Sequence, residues 1–166
     1  EVGARGDGAT RVDALTVARL VHQQVNRVRQ QHGLRPLRWD GRLGGVATAH
    51  SRDMLERGYF AHVTPDGRDF AARYSDARYV CRVPLDARSY LTGGENLALT
   101  HHNARVLVYD DGRRVPTGFR TPAQVAQRVV VGWLNSPGHR RNLLKPQWLR
   151  EGIGVVIGAD GRIWVT

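Results

Sequence analysis

Val17, Leu20, Val21, Gln24, Val25 and Val28 return at three- and four-residue steps, the period of one face of an α-helix. Asp13 ahead of the stripe offers a capping carboxylate, and Gly33 behind it supplies the left-handed residue that ends a helix. The predicted helix runs from Asp13 to about Gln31. Such a stripe is stable only against another apolar surface, so the chain must fold around it. A second stripe follows at once. Arg35-Pro36-Leu37 crosses to Trp39-Asp40, and Asp40 is a second N-cap. Leu43, Val46, Ala47, His50, Met54 and Leu55 then share one side, and Gly58 closes the helix. His50, lying on this stripe, reads as a satisfied histidine at the core edge rather than a ligand.

The later chain changes character. A short helix is expected over residues 69–78, with Phe70, Ala71 and Tyr74 inward, and residues 79–91 carry only weak patterning. Residues 105–109, Asp110-Asp111-Gly112 and residues 113–116 read as a small hairpin or inserted loop. Thr121-Pro122-Ala123-Gln124 combines a Thr cap, a first-turn Pro and a capping-box Gln. The helix it starts carries Val125, Arg128, Val129, Gly132 and Trp133. Residues 153–157, the turn Gly158-Ala159-Asp160-Gly161 and residues 163–165 predict a closing β-hairpin. Helices first and strands mostly late indicate an α+β fold. The length of 166 residues suits one domain, taken as 13–166 after a flexible lead-in over 1–12. Arg5-Gly6-Asp7 in that lead-in is too short a match to an integrin-ligand tripeptide to carry weight.

Charge is the other constraint. The formal net charge is +10, and Lys145 is the only lysine among 25 Lys and Arg residues. That imbalance points to codon usage in a GC-rich genome rather than to phosphate recognition. The arginines are scattered from Arg5 to Arg162 without a dense tract or an aromatic-interleaved platform, so specific nucleic-acid binding is not expected. Attachment to anionic polymers through the basic surface is compatible with the composition. No apolar run approaches the roughly 20 residues of a membrane span. The start at Glu1 is expected for a mature chain lacking its signal peptide, or for an excised domain. Cys81 is alone, which excludes an intrachain disulfide and a cysteine zinc cage, and it reads as a partly buried, inert thiol.

Three stretches break the periodicity, and each carries one chemically capable side chain. His62 lies in Tyr59-Phe60-Ala61-His62 before the turn signal Pro65-Asp66-Gly67. Glu95 follows Gly93-Gly94, and His139 follows Ser136-Pro137-Gly138. Two imidazoles and a carboxylate match the ligand set of zinc sites that keep an open position. A metal there would lower the pKa of bound water, and without metal a Glu–His pair could still move protons. The same residues could equally be hydrogen-bonded groups pinning loops. The spacing is not itself a motif, and neither HExxH nor a Walker signature is present.

The ordered blocks PLRWD, AHSRDMLERGYFAHVTPDG, GENLA, GWLNSPGHRRNLL and EGIGVV settle which comparison applies. Together they resemble the CAP superfamily. These SCP-domain proteins include cysteine-rich secretory proteins, antigen 5 and plant pathogenesis-related proteins. The likeness is greatest to the compact prokaryotic type, and it covers nearly the whole chain. It implies an α–β–α sandwich with a small, mainly antiparallel sheet between helical layers. It also implies a cleft with two His and two Glu, which in some members binds a divalent metal such as zinc. His62 and His139 match the two His and Glu95 matches the Glu of the GEN block. The second Glu is missing, because Trp133 is followed by Leu134, Asn135 and Ser136.

The resemblance therefore implies a secreted or envelope-associated protein, located outside the cell or in the cell envelope. Zinc, or another divalent metal, would be held by His62 and His139 with Glu95 adjacent. If the domain is an enzyme, His62, Glu95 and His139 are its catalytic residues. The alternative is a non-catalytic module for lipid, sterol, an envelope component or protein, in which the polar triad is structural. A metal-dependent hydrolase is the third reading. A monomer without a transmembrane segment is expected.

Overall fold

The middle strand of the central sheet is made by the last residues of the chain, and its alternation creates two cores. The structure is a computed structural model describing residues 12–166. In chain order the elements are α1 (Ala14–Gln31), β1 (Arg38–Trp39), α2 (Gly41–Arg57), α3 (Phe70–Asp76), β2 (Val83–Pro84), β3 (Tyr90–Leu91) and β4 (Ala98–His101). They continue with β5 (Asn103–Val108), β6 (Arg114–Phe119), α4 (Pro122–Asn135), α5 (Pro137–Leu143), β7 (Arg150–Glu151), β8 (Val155–Ile157) and β9 (Arg162–Val165). The central sheet is antiparallel with order β4-β9-β8. Short pairs flank it: β2 with β3 and β5 with β6 are antiparallel, while β1 with β7 is parallel.

Successive residues of β9 point to opposite faces. Ile163 and Val165 join Val17, Val21 and Val25 of α1 and Val125, Ala126, Val129 and Trp133 of α4 in the larger core. Trp164 faces the other way and packs with Met54 of α2 and with Leu97. Helices thus cover both sheet faces, giving the α–β–α layering.

The caps follow the sequence closely. Asp13 accepts from the Thr16 amide, Asp40 accepts from Arg42 and Leu43, and Thr121 with Gln124 completes a capping box. Gly33 and Gly58 adopt φ of 68° and 69°, the left-handed values that end α1 and α2. The hairpins at β5–β6 and β8–β9 form where expected.

Four expectations change. The short helix stops at Asp76, and Ala71 is exposed while Tyr74 is buried. In α4 the buried face uses Ala126 and Val130 rather than Arg128 and Gly132, which are exposed. Ser136-Pro137-Gly138 does not leave an irregular turn: Pro137 begins α5, so His139 is helical. A proline that ends one helix is equally suited to the first turn of the next. Val12, placed in the lead-in, packs partly buried against the core, while the rest of that lead-in, including Arg5-Gly6-Asp7, lies outside the described residues.

Not every arginine serves the surface. Arg29 is fully buried, and its guanidinium donates to the carbonyls of Arg35, Leu143 and Lys145, tying the end of α1 to the end of α5.

The tightest packing is backbone on backbone. A Cβ built at Gly152 would fall on the backbone of Leu43 and Gly44, and one at Gly154 on the backbone of Ala47 and Thr48. Helix α2 therefore lies directly on the strand entering β8, at a distance only glycine permits. Gly154→Ala should lower stability by about 3 kcal/mol or more, the upper part of the overpacking range. Gly45, in the same helix with nothing within 4 Å of its would-be Cβ, is the control. Gly45→Ala should raise stability by about 0.5–1 kcal/mol through helix propensity. Urea unfolding midpoints of the two variants should move in opposite directions.

Candidate functional site

The end of α2 launches the first side chain of the site. Gly58 turns the chain out of the helix, and the loop beyond it is closed by bonds from the Thr64 amide to the Arg68 carbonyl (3.0 Å) and from Gly67 to Thr64 (2.8 Å). His62 rides on this loop with its side chain half exposed.

Two glycines position the second. Gly93 has φ 129°, and a Cβ there would lie 2.6 Å from the Tyr74 ring. A Cβ at Gly94 would lie 2.5 Å from Asn142 Oδ1. The chain passes this close to α3 and α5 only because both residues lack side chains. It delivers Glu95 into the interior with 9% of its side chain exposed. There Oε1 accepts from His62 Nδ1 at 2.9 Å and Oε2 accepts from Arg73 Nη2 at 2.5 Å. Arg73 Nη1 also donates to the carbonyls of His62 and Arg68, both at 3.0 Å, so one guanidinium fixes the carboxylate and the His62 loop together.

His50 lies behind this pair. It is buried, its Nε2 donates to the Ala61 carbonyl at 3.1 Å, and Glu95 Oε1 is 3.9 Å away. Burial pushes its pKa below the ordinary imidazole value despite the Glu95 charge, and its Nδ1 has no protein partner.

Helix α5 brings the third side chain. The His139 ring centroid is 6.3 Å from that of His62, with the rings tilted by 56°. A chain of amides holds α5 to the GEN block: Asn96 Nδ2 donates to the His139 carbonyl (3.2 Å), and Asn142 Nδ2 donates to Asn96 Oδ1 (3.0 Å). Trp148 Nε1 donates to Asn142, and Trp133 Nε1 donates to the Leu97 carbonyl at 2.9 Å. Burial, with a smaller contribution from His62, holds the His139 pKa below the ordinary imidazole value.

The fold thus gathers His62, Glu95 and His139 into one region, as their side-chain types alone could not establish. Glu95 bonds to only one of the two imidazoles: among the described residues its bonds go to His62 and Arg73, with none to His139. Sequence reasoning missed Arg73 and Asn142 and underused His50. The available signals were Asn96 inside the GEN block and His50 one helical face before the YFAH loop.

The donor set limits what a metal could find. Among the described residues no group of three or more His, Cys, Asp or Glu side chains is placed to hold an ion. The Glu95 carboxylate is occupied by Arg73 and His62, leaving two imidazoles. On one tetrahedral zinc their ring centroids would be about 5 Å apart, so the half-exposed His62 would have to approach His139 slightly. The residues fit a two-imidazole site and not a three-ligand one.

Adjoining the site, a cavity of about 1000 Å³ opens between α2, residues 78–83 and β7. Leu37, Val46, Leu143 and Leu149 line it with Trp39 and Trp148, and Glu95 forms part of its wall. Cys81 also lines it, and burial pushes that thiol up, away from the reactive thiolate.

His50 and His139 share a linkage consequence. Both have folded pKa values below the reference of 6.5, so as pH falls the unfolded chain binds protons first. The stability they confer is complete above that value and is lost on acidification. Glu151, whose carboxyl is raised by burial, acts in the opposite direction. In chelator-treated protein, the change in Tm between pH 7.5 and pH 5.5 should therefore be less acid-destabilising in His139→Gln than in wild type.

A family model described as the cysteine-rich secretory protein family, CAP, matches residues 22–166. The chain is 34% identical over 145 residues to the uncharacterized protein YkwD of Bacillus subtilis, covering 87% of this chain and 43% of that protein. It is 33% identical over 131 residues to the uncharacterized membrane protein YlbC of the same organism, covering 79% of this chain and 29% of that protein. It therefore spans less than half the length of either curated relative. Among solved structures, an outer surface protein from Borrelia burgdorferi aligns with TM-score 0.60 at 18% identity, covering 93% of this chain and 92% of that one. An extracellular SCP-domain protein from Bacillus anthracis aligns with TM-score 0.55 at 24% identity, covering 92% of this chain and 40% of that one. The sequence match over most of its length, on an α–β–α fold shared with these structures, makes this chain a member of the CAP family.

Proposed function

We propose that this chain is a binding domain acting outside the cytoplasm, whose cleft takes a divalent metal, with zinc the expected ion, between His62 and His139. The observation that carries the reading is the 2.9 Å contact of His62 Nδ1 with Glu95 Oε1. A carboxylate accepting at Nδ1 fixes the proton there and leaves the Nε2 lone pair free, the arrangement that orients metal-binding histidines. Arg73 in turn fixes Glu95. His139, held neutral by burial, offers the second lone pair. A zinc ion held there by His62 and His139 would supply Lewis acidity and open coordination positions. The role of these residues is to bind and orient, since one carboxylate already neutralised by Arg73 is poorly placed to act as a free base.

Location rests on relatives described as an extracellular SCP-domain protein and an outer surface protein. No helix among the described residues is long and apolar enough to cross a membrane. The net charge of +10 supports electrostatic attachment to anionic envelope polymers.

A second reading is favoured by the cavity. Its volume of about 1000 Å³ and aliphatic and aromatic walls suit an apolar ligand such as a lipid or sterol, bound without chemistry. The polar triad is then a structural clasp. The two readings meet at Glu95, which orients His62 and also lines the cavity, and they are compatible.

Isothermal titration with zinc decides the first. Wild type should give one saturable binding event, and His139→Ala should weaken it by about 1.4 kcal/mol or more, tenfold in Kd. Equal heats from both proteins would reject the site. The same affinity should fall as pH is lowered through the imidazole range, because a protonated imidazole cannot ligate. An affinity unchanged between pH 7.5 and pH 5.5 would also contradict it.

A further inference from the structure

A second His–Glu pair, Glu151 with His22, borders the cavity through Glu151. Glu151 on β7 lines it, with 15% of its side chain exposed. Its Oε1 contacts His22 Nδ1 at 2.5 Å, while no hydrogen bond among the described residues reaches Oε2. His22 is itself held, with Asn26 Nδ2 3.3 Å from its Nε2 and the edge of Trp39 at 5.4 Å between ring centroids. Trp39 is the register partner of Glu151 across β1 and β7, so indole and carboxylate are neighbours on the cavity wall. Tyr79 and Trp148 add further aromatic surface.

We propose that this cavity takes a small molecule with an apolar body and a primary ammonium head, seated on Glu151 Oε2 beside Trp39. The inference rests on the cavity reading above and adds the head group. An ammonium carries three donors and no acceptor, so it matches a carboxylate oxygen lacking a protein donor. Its charge is also favoured near an indole. Arg29 acts on Glu151 through its charge and Arg42, Arg78, Arg82 and Arg150 line the cavity, yet among the described residues none of them hydrogen-bonds Oε2. Arg29 spends Nε and Nη1 on carbonyls, its buried Nη2 has no protein acceptor, and Arg42 donates to the carbonyls of Ala77 and Arg78. Arg150 is an exposed side chain, 3.5 Å from Asp40. A carboxylate-headed ligand would meet like charge at Glu151, and an alcohol would gain a hydrogen bond without the ionic attraction.

Chain-matched probes test this by titration calorimetry near pH 7.5: n-octylamine, n-octanol and n-octanoate. Octylamine should bind about tenfold more tightly than octanoate, a difference that Glu151→Gln reduces to about twofold or less. Trp39→Leu should weaken octylamine more than octanoate. Val46→Trp, which projects an indole into the cavity, should abolish binding of all three. Near-UV circular dichroism establishes that each variant is folded. Octanoate binding as tightly as octylamine, or a preference that survives Glu151→Gln, would overturn the head-group assignment while leaving the cavity. Silence from all three probes in wild type, or undiminished binding by folded Val46→Trp, would overturn the cavity reading itself.

Discussion

The contact on which the structure turns has no side chains in it. Helix α2 rests its backbone against Gly152 and Gly154, and this single approach fixes how deeply the helix sits on the central sheet. From that depth follow the burial of His50 and Met54, the exit direction at Gly58 and hence the placement of the His62 loop. The opposite end of the same helix forms one wall of the large cavity. Both candidate sites are therefore consequences of one steric allowance. A methyl group at either glycine would separate the layers that define them.

The candidate site is organised by charge satisfaction rather than by an accumulation of ligands. A largely buried carboxylate is costly unless it is paired, and Glu95 is paired twice, with Arg73 and with His62. Arg73 also holds the carbonyls of His62 and Arg68, so carboxylate, guanidinium and imidazole form one unit. His139 reaches this unit from another helix, held in place by the Asn96–Asn142–Trp148 chain and not by Glu95. The result is a rigid wall bearing one oriented imidazole, faced by a second.

The two His–Glu pairs illustrate how the same residue types acquire different roles from their surroundings. Glu95 is met by a guanidinium and an imidazole, leaving neither oxygen without a partner. Glu151 has an imidazole at one oxygen only, and burial raises its carboxyl pKa. The first pair fixes the orientation of the His62 ring; the second leaves one carboxylate oxygen without a hydrogen bond on a residue that lines the cavity.

What the sequence determined by itself was local and one-dimensional. Asp13, Asp40 and Thr121 announced three helix starts because a cap bonds to amides two or three residues away. Gly33 and Gly58 announced helix ends, and the terminal hairpin was legible from its turn. His62, Glu95 and His139 stood out because each broke a periodic pattern beside Gly or Pro. Tertiary structure decided the rest. Arg73 is 22 residues from Glu95, and Asn142 is 46 from Asn96, so no periodicity could link them. Whether Pro137 ended a helix or began one depended on how α5 packs, since its fixed φ suits both. Glu151 and His22 are 129 residues apart and meet only once α1 has packed beside β7, while the pairing of β7 with β1 sets Trp39 next to Glu151 on the cavity wall. Caps and turns are contacts within a few residues and can be read along the chain. Sites are contacts across it, and they exist only once the layers have closed.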